Sequence, residues 1–351
     1  MIIIVALALC AISFTASYLL CEATKHTGVV DAPDGRRKLQ DRPIPRLGGL
    51  GVLLAIAISV LAAGVLHSFA PQWIGSSFLP GGVPEVLYAV GVSFLFGLVG
   101  AADDLIELNP VTKLALLIVL CVAAPMVGVA VGELESPFGS ITAPAILIAG
   151  SAAWLLVFVN AANFMDGSNG LSLGCLAIML AGLGLSLMLA ERGGFPLGLV
   201  CMIAAIGAFL IHNLRGTLYA GDAGAFGVGA MFATLALISG LSVWTVATLA
   251  LPFLVDVLLT LVSRARHGQP LFEAHLDHAY QGLIKRGWAH EEVAVLWWSL
   301  SVVCGVAASI GAAGGGALPF ILFWTFALIL SAGWLFLHGE ARKNFAGRTH
   351  G

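Results

Sequence analysis

Long apolar blocks alternate with short polar segments along the whole chain. Eleven blocks, each near the ~20 residues that cross a bilayer as a helix, lie at about 1–20, 48–69, 84–101, 114–131, 141–159, 171–190, 197–213, 225–240, 242–262, 292–313 and 317–338. The pattern predicts an all-α polytopic membrane protein with about eleven transmembrane helices. The longest polar segments are 21–47 and 263–291. There is no internal repeat and no linker long enough to separate a soluble domain, so 1–351 reads as one integral membrane domain.

Composition agrees with the pattern. Of 351 residues, 59% are hydrophobic and 10% charged, where a soluble domain carries about 25% charged residues. A mean hydropathy of +1.00 excludes a soluble globular protein, a disordered chain and a disulfide scaffold. The N-terminal run MIIIVALALCAISFTASYLL lacks a basic leader and is too long for a signal peptide, so it reads as a retained first helix. Cys10, Cys21, Cys121, Cys175, Cys201 and Cys304 have no close pairing and read as small residues of the apolar phase. A net charge of −3 gives no reason to expect a nucleic-acid partner.

The distribution of charge says more than its sum. Lys25, Arg36, Arg37, Lys38, Arg42 and Arg46 fall in the first loop, Lys113 after the third block, and Arg215 after the seventh. Arg264, Arg266, Lys285 and Arg286 follow the ninth, and Arg342, Lys343 and Arg348 form the tail. All these segments have one parity, with only Arg192 opposite. Because Lys and Arg stay on the cytoplasmic side, the N-terminus is expected outside and the C-terminus inside. Segments 21–47, 101–113, 160–170, 214–224 and 263–291 are then cytoplasmic.

The polar motifs share that face. Asp103 and Asp104 lie where the third block ends; adjacent carboxylates repel, and a nearby cation would keep both, although a solvated helix end would also hold them. Lys113 closes the same loop, as a site residue or as a snorkelling anchor. Asn160, Asn163 and Asp166 recur at i, i+3, i+6 in VNAANFMDGSNGLSLG. They give one helical stripe of amides and a carboxylate, whose burial without partners would cost energy. Gly167 and Gly170 allow a sharp turn and a close approach of ligand. Asp222, between glycines before the eighth block, suits a metal–phosphate pair at a helix N-terminus or a plain cap. In SRARHGQPLFEAHLDHAYQGLIKRGW, Arg264, Arg266, His275, His278, Lys285 and Arg286 suit an anionic substrate or anionic headgroups; the zinc ligands that could join the two histidines are not evident. Asp256, inside the ninth block, is expensive there and reads as functional. Carboxylates, amides, glycines and cations around one membrane-surface cleft are the parts that phosphoryl transfer needs.

From about residue 30 to 290 the chain resembles the polyprenyl-phosphate N-acetylhexosamine-1-phosphate transferases. RKLQDRPIPRLGG, AADD, NAANFMDGSNGL, AGDAG and HLDHAYQGL occur in the family's order. The resemblance implies Asp222 as ligand of Mg²⁺, or of Mn²⁺ in its place, with Asn163 as a second. Asp103 and Asp104 would flank the metal and acceptor phosphate, and Lys113 would contact the diphosphate. Asn169 would recognise uridine, Lys38 would be the basic residue of the first loop, and His275 and His278 would form the histidine loop. Asn160, Asp166, Arg264 and Arg266 complete the expected substrate-binding set. Gln40, Asn169 and Asp277 depart from residues common in the family; sugar choice is expected in the loop from Arg264 to Trp288. The implied reaction joins a UDP-N-acetylhexosamine and polyprenyl phosphate into a lipid diphospho-sugar plus UMP. HLDHAYQ is nearer the O-antigen-initiating members, in a bacterial inner membrane and as a homodimer, than the phospho-MurNAc-pentapeptide transferase of peptidoglycan synthesis. A transporter or channel would need polar residues at the midplane, and a lipid-binding protein would not need the aspartates.

Overall fold

The computed structural model describes residues 2–33, 42–70, 83–136, 139–192, 197–270 and 275–348. Lys38, Arg36, Arg37 and Gln40 therefore lie outside the described residues. The described chain holds helices α1 (Ile2–Thr24), α2 (Gly48–Phe69), α3 (Val83–Ile106), α4 (Pro110–Met126), α5 (Pro144–Phe164) and α6 (Leu171–Leu189). It continues with α7 (Leu197–Asn213), α8 (Gly221–Ile238), α9 (Val243–Arg266), α10 (Ala279–Lys285), α11 (His290–Gly314) and α12 (Leu318–Arg348). Two antiparallel hairpins accompany them: β1 (Val30–Asp31) with β2 (Ile44–Pro45), and β3 (Leu134–Ser136) with β4 (Gly139–Ile141).

The fold is all-helical, as the hydropathy implies. Nine of the described helices are long and apolar enough to cross a membrane, while α4 and α7 are shorter apolar helices. At 17 residues each, these two are about 26 Å long at 1.5 Å per residue, slightly less than a ~30 Å hydrocarbon core. Two boundaries differ from the sequence expectation in ways that matter. The third helix continues to Ile106, so Asp103 and Asp104 sit on helix rather than beyond it; the eighth begins at Gly221, so Asp222 is in its first turn. In both cases carboxylates that hydropathy places outside the helix are kept within it by partners on other elements.

Helix α8 is the hub. Of its membrane-length window 78% is buried, against 6% for α12. It packs most extensively on α3 and also touches α2, α5 and α6. Small residues permit these approaches, and hydroxyls join the helices by bonding to facing carbonyls, a pattern suited to a medium where apolar burial gives little drive. Ser93 Oγ donates to the Gly227 carbonyl (2.6 Å), Ser13 Oγ to Cys201 (2.7 Å) and Ser17 Oγ to Ala205 (2.7 Å). All six cysteines are free thiols.

One piece of non-helical backbone sets the site. The segment after β2 is laced to the residues ahead of α8: the amide of Tyr219 donates to Pro45 O (2.8 Å), and those of Gly48 and Gly49 to Tyr219 O and Ala220 O (2.9 Å each). The end of the first loop, at Pro45, is thereby fixed against the start of the hub helix.

Candidate active site

Four helix ends meet at one end of the bundle. Asp103 and Asp104 are successive positions on α3, so their side chains leave the axis about 100° apart and find different partners. Asp103 Oδ2 accepts from Lys113 Nζ (3.0 Å), and its Oδ1 accepts from the Leu108 amide (3.0 Å). Lys113 is delivered by the first turn of α4, which begins at Pro110 and is capped by Asn109 accepting from the Val111 amide (2.9 Å). Its ammonium also reaches Asp222 Oδ2 (2.9 Å), while Asn163 Nδ2 from the last turn of α5 donates to Asp222 Oδ1 (2.9 Å). Asp103, Lys113, Asp222 and Asn163 thus form one polar chain drawn from α3, α4, α8 and α5.

Asp104 turns the other way. Its Oδ1 accepts from the Asp222 amide (3.2 Å) and its Oδ2 from the Ala223 amide (3.0 Å). Arg46 donates through Nη2 to the Asp104 carbonyl (2.5 Å), with Nε 3.7 Å from Oδ1 and Nη1 3.9 Å from Asp31.

A cavity of about 340 Å³ opens at this place, lined by Asp31, Arg46, Asp104, Asn163, Asp166, Asp222, Ser168, Asn169, Asn213, Tyr219, Tyr280, Gln281 and His290 among others. It combines a carboxylate-and-cation region with an array of neutral amide, hydroxyl and aromatic groups. Burial, reinforced by the charges of Asp222 and Asp104, pushes the Asp166 carboxyl well above the usual range. Gly170 begins α6 with φ +76° and donates its amide to Asn213 Oδ1 (2.6 Å).

Asp103 and Lys113 stand behind Asp222 and are not among the residues that line the cavity, and the remaining expected site residues are placed differently. Asn160 bonds back to the Leu156 carbonyl (2.8 Å) and does not line the cavity. Arg266 is exposed at the end of α9. Arg264 is engaged within its own loop, pairing with Asp277 and donating to the Pro270 carbonyl through Nε (3.2 Å) and Nη2 (2.5 Å). His278 is buried as the N-cap of α10, its ring 5.8 Å from Phe164 and 5.9 Å from Tyr280. Neither His275 nor His278 lines the cavity. Asp256 is a cap for α10 from a distance, accepting from the amides of Ala279 (2.8 Å) and Tyr280 (3.4 Å) and from Trp334 Nε1 (3.3 Å). Its depth has a structural reason.

Burial, with His278 and Arg264 nearby, lowers His275 from its ordinary value to about 4. The unfolded imidazole titrates near 6.5, so between pH 6.5 and 4 the unfolded chain takes up a proton that the folded one refuses, and stability falls. Thermal unfolding of His275→Gln should accordingly lose less Tm between pH 7 and 5 than wild type; an equal loss would locate the acid sensitivity elsewhere.

Among the described residues, no group of three or more His, Cys, Asp or Glu side chains stands ready to hold a metal. The donor chemistry nonetheless fits a hard divalent cation shared with substrate, since such an ion takes one or two carboxylates and completes its shell with phosphates and water. Asp103 and Asp222 already converge on one cation, the Lys113 ammonium.

Several cavity groups, among them Asp31, Asn213, Tyr219 and Gln281, are not singled out by sequence reasoning. Arg46 was counted only as a topological charge. Tyr280, fully buried with its hydroxyl on the Phe164 carbonyl (2.9 Å), and the Ser168–His290 pair (2.8 Å) join positions more than a hundred residues apart, which no local motif announces.

Comparison with known proteins identifies the family. Residues 86–240, from α3 through α8, match glycosyl transferase family 4. Over 314 residues the chain is 31% identical to the decaprenyl-phosphate N-acetylglucosaminephosphotransferase of Mycobacterium tuberculosis (strain ATCC 25618 / H37Rv), covering 78% of this chain and 74% of that one. The chain belongs to the polyprenyl-phosphate N-acetylhexosamine-1-phosphate transferase family. It is therefore a multi-pass membrane enzyme of the phosphotransferase type. A probable undecaprenyl-phosphate N-acetylglucosaminyl 1-phosphate transferase of Bacillus subtilis (strain 168) is 23% identical over 301 residues, 81% of this chain and 77% of that one. A phospho-N-acetylmuramoyl-pentapeptide-transferase of Streptococcus suis (strain 05ZYH33) is 30% identical over a shorter 231 residues, 60% of this chain and 64% of that one. The family match contains Asp103, Asp104, Lys113, Asn163 and Asp222 and ends before the histidine loop.

Proposed function

We propose that this transferase moves N-acetylhexosamine 1-phosphate, with N-acetylglucosamine as the sugar, from its UDP derivative to polyprenyl phosphate, releasing UMP and initiating an envelope polysaccharide. The observation that carries the reading is Lys113 bridging Asp103 and Asp222 at 3.0 and 2.9 Å beside a polar cavity at the helix ends. The acceptor phosphate oxygen attacks the β-phosphorus of the UDP-sugar, and the bond to the bridging oxygen breaks towards UMP. One phosphoanhydride forms as another is lost, and no net proton is transferred. A phosphate monoester with a second pKa near 6 is largely dianionic at pH 7, so a general base is scarcely needed. Lys113 offsets the negative charge that spreads over the transferring group. Mg²⁺, with Mn²⁺ as substitute, would be held by Asp222 with Asn163 and Asp103 alongside, and would supply further neutralisation of the diphosphate. Asp166, Ser168 and Asn169 would receive the nucleoside, and the loop tied by Arg264 and Asp277 would select the sugar. The greater coverage of the N-acetylglucosamine-transferring relatives favours this substrate over a MurNAc-pentapeptide.

The same reading places the site on the cytoplasmic face of a bacterial inner membrane, with eleven spans, the N-terminus outside and the C-terminus inside. In an otherwise Cys-free variant, a thiol introduced at position 168 or 270 should resist an impermeant reagent in intact cells and react after lysis. Labelling from outside would contradict the topology. For the reaction itself, purified protein given polyprenyl phosphate, Mg²⁺ and a panel of UDP-sugars should release UMP only when lipid and UDP-N-acetylhexosamine are both present. UMP release without the lipid would point to a hydrolase.

A further inference from the structure

The paired carboxylates of α3 differ in what they hold. Asp104 is 3% exposed at its side chain, against 17% for Asp103 and 24% for Asp222. A helix leaves its first amides without internal partners, and a side-chain oxygen at the N-cap usually satisfies one. The N-cap of α8 is Ala220, which makes no side-chain cap. Asp104 supplies the missing acceptors from another helix, one oxygen for the Asp222 amide and one for Ala223. Arg46 braces it by donating to the Asp104 carbonyl. The backbone is shaped to this clamp. Gly221 has φ +68°, and a Cβ there would fall 2.5 Å from Asp104 Oδ2 and 2.1 Å from the Arg46 carbonyl. A Cβ on Gly100 would fall 2.2 Å from the Asp222 carbonyl.

We propose that Asp104 is a positioning residue: it caps α8 from α3 and thereby aims the Asp222 carboxylate, while Asp103 reaches Asp222 through Lys113. Each Asp104 oxygen accepts a backbone amide of α8, so the orientation of its carboxylate is set by that helix even where it borders the cavity. The assignment takes its activity readout from the transfer reaction proposed above, but its structural readout is independent of it.

The test uses the full-length protein in detergent. Hydrogen exchange is followed on a peptide covering the first turn of α8, and turnover is titrated with Mg²⁺ across pH. Asp104→Asn should speed exchange there about fivefold or more, the size of a lost cap, whereas Asp103→Asn should leave it unchanged. Asp104→Asn should also raise the Mg²⁺ concentration for half-maximal turnover without altering the shape of the pH profile. Gly221→Ala, which removes no charge, should reproduce both effects. Unchanged exchange in Asp104→Asn, or loss of an acidic limb from its pH profile, would overturn the assignment in favour of direct contact with substrate. If wild type shows no transfer, the functional reading fails and the exchange comparison still decides the role of Asp104.

Discussion

Replacing Asp222 by Asn should lower turnover at least about 100-fold while leaving the protein folded and membrane-inserted. Asn keeps the volume and an acceptor for Lys113, but it removes the negative charge on which Lys113 and Asn163 converge at 2.9 Å each. A neutral amide competes poorly with water for Mg²⁺, which gives up its hydration shell reluctantly. Loss of one electrostatic group at a centre of developing charge costs about 10²–10³ in rate. The measurement is kcat with saturating lipid and UDP-N-acetylglucosamine over a Mg²⁺ series, with Tm as the control for folding. Near-normal turnover at low Mg²⁺ would move the metal role to Asp103.

Lys113→Met should have an effect of similar size with a different signature. The ammonium links Asp103 to Asp222, both partly buried, and its removal leaves two carboxylates facing each other without a cation. Methionine keeps the length of the apolar stem and removes the charge, so packing against Phe226, whose ring lies 5.8 Å from the ammonium, is largely retained. The expected outcome is a drop of about 100-fold in kcat with a smaller change in KM for the UDP-sugar, because the charge that Lys113 balances is greatest in transfer. Wild-type kcat in Lys113→Met would reduce this lysine to an anchor at the membrane surface.

The helices were legible because burial in lipid requires long apolar runs, and each expected block overlaps a helix. Their ends were less so. Hydropathy stops the third helix before Asp103, yet tertiary partners carry it on to Ile106. The seven-residue helix α10 lies within a stretch that reads as polar loop, and depends on Asp256, 23 residues upstream, for its cap. The candidate site was legible as a set of residue types on one face, and the meeting of Asp103, Lys113, Asn163 and Asp222 needs only the helix ends that carry them to converge. The division of labour between Asp103 and Asp104 was not. Adjacent identical residues are equivalent in a motif and become distinct only through the rotation of the helix. Asp256 shows the limit from the other side: its partners, two amides and a tryptophan 78 residues away, give the buried carboxylate a structural role that has no trace in the local sequence. Arg264 and Asp277 likewise look like separate substrate ligands until the loop is folded and they pair.

The most direct test follows the phosphorus. With UDP-N-acetylglucosamine labelled at the β-phosphate with ³²P, the account predicts that label enters the organic phase as lipid diphosphate-sugar in one-to-one proportion with UMP. Transfer of the sugar alone, with label remaining in water as UDP, would contradict it.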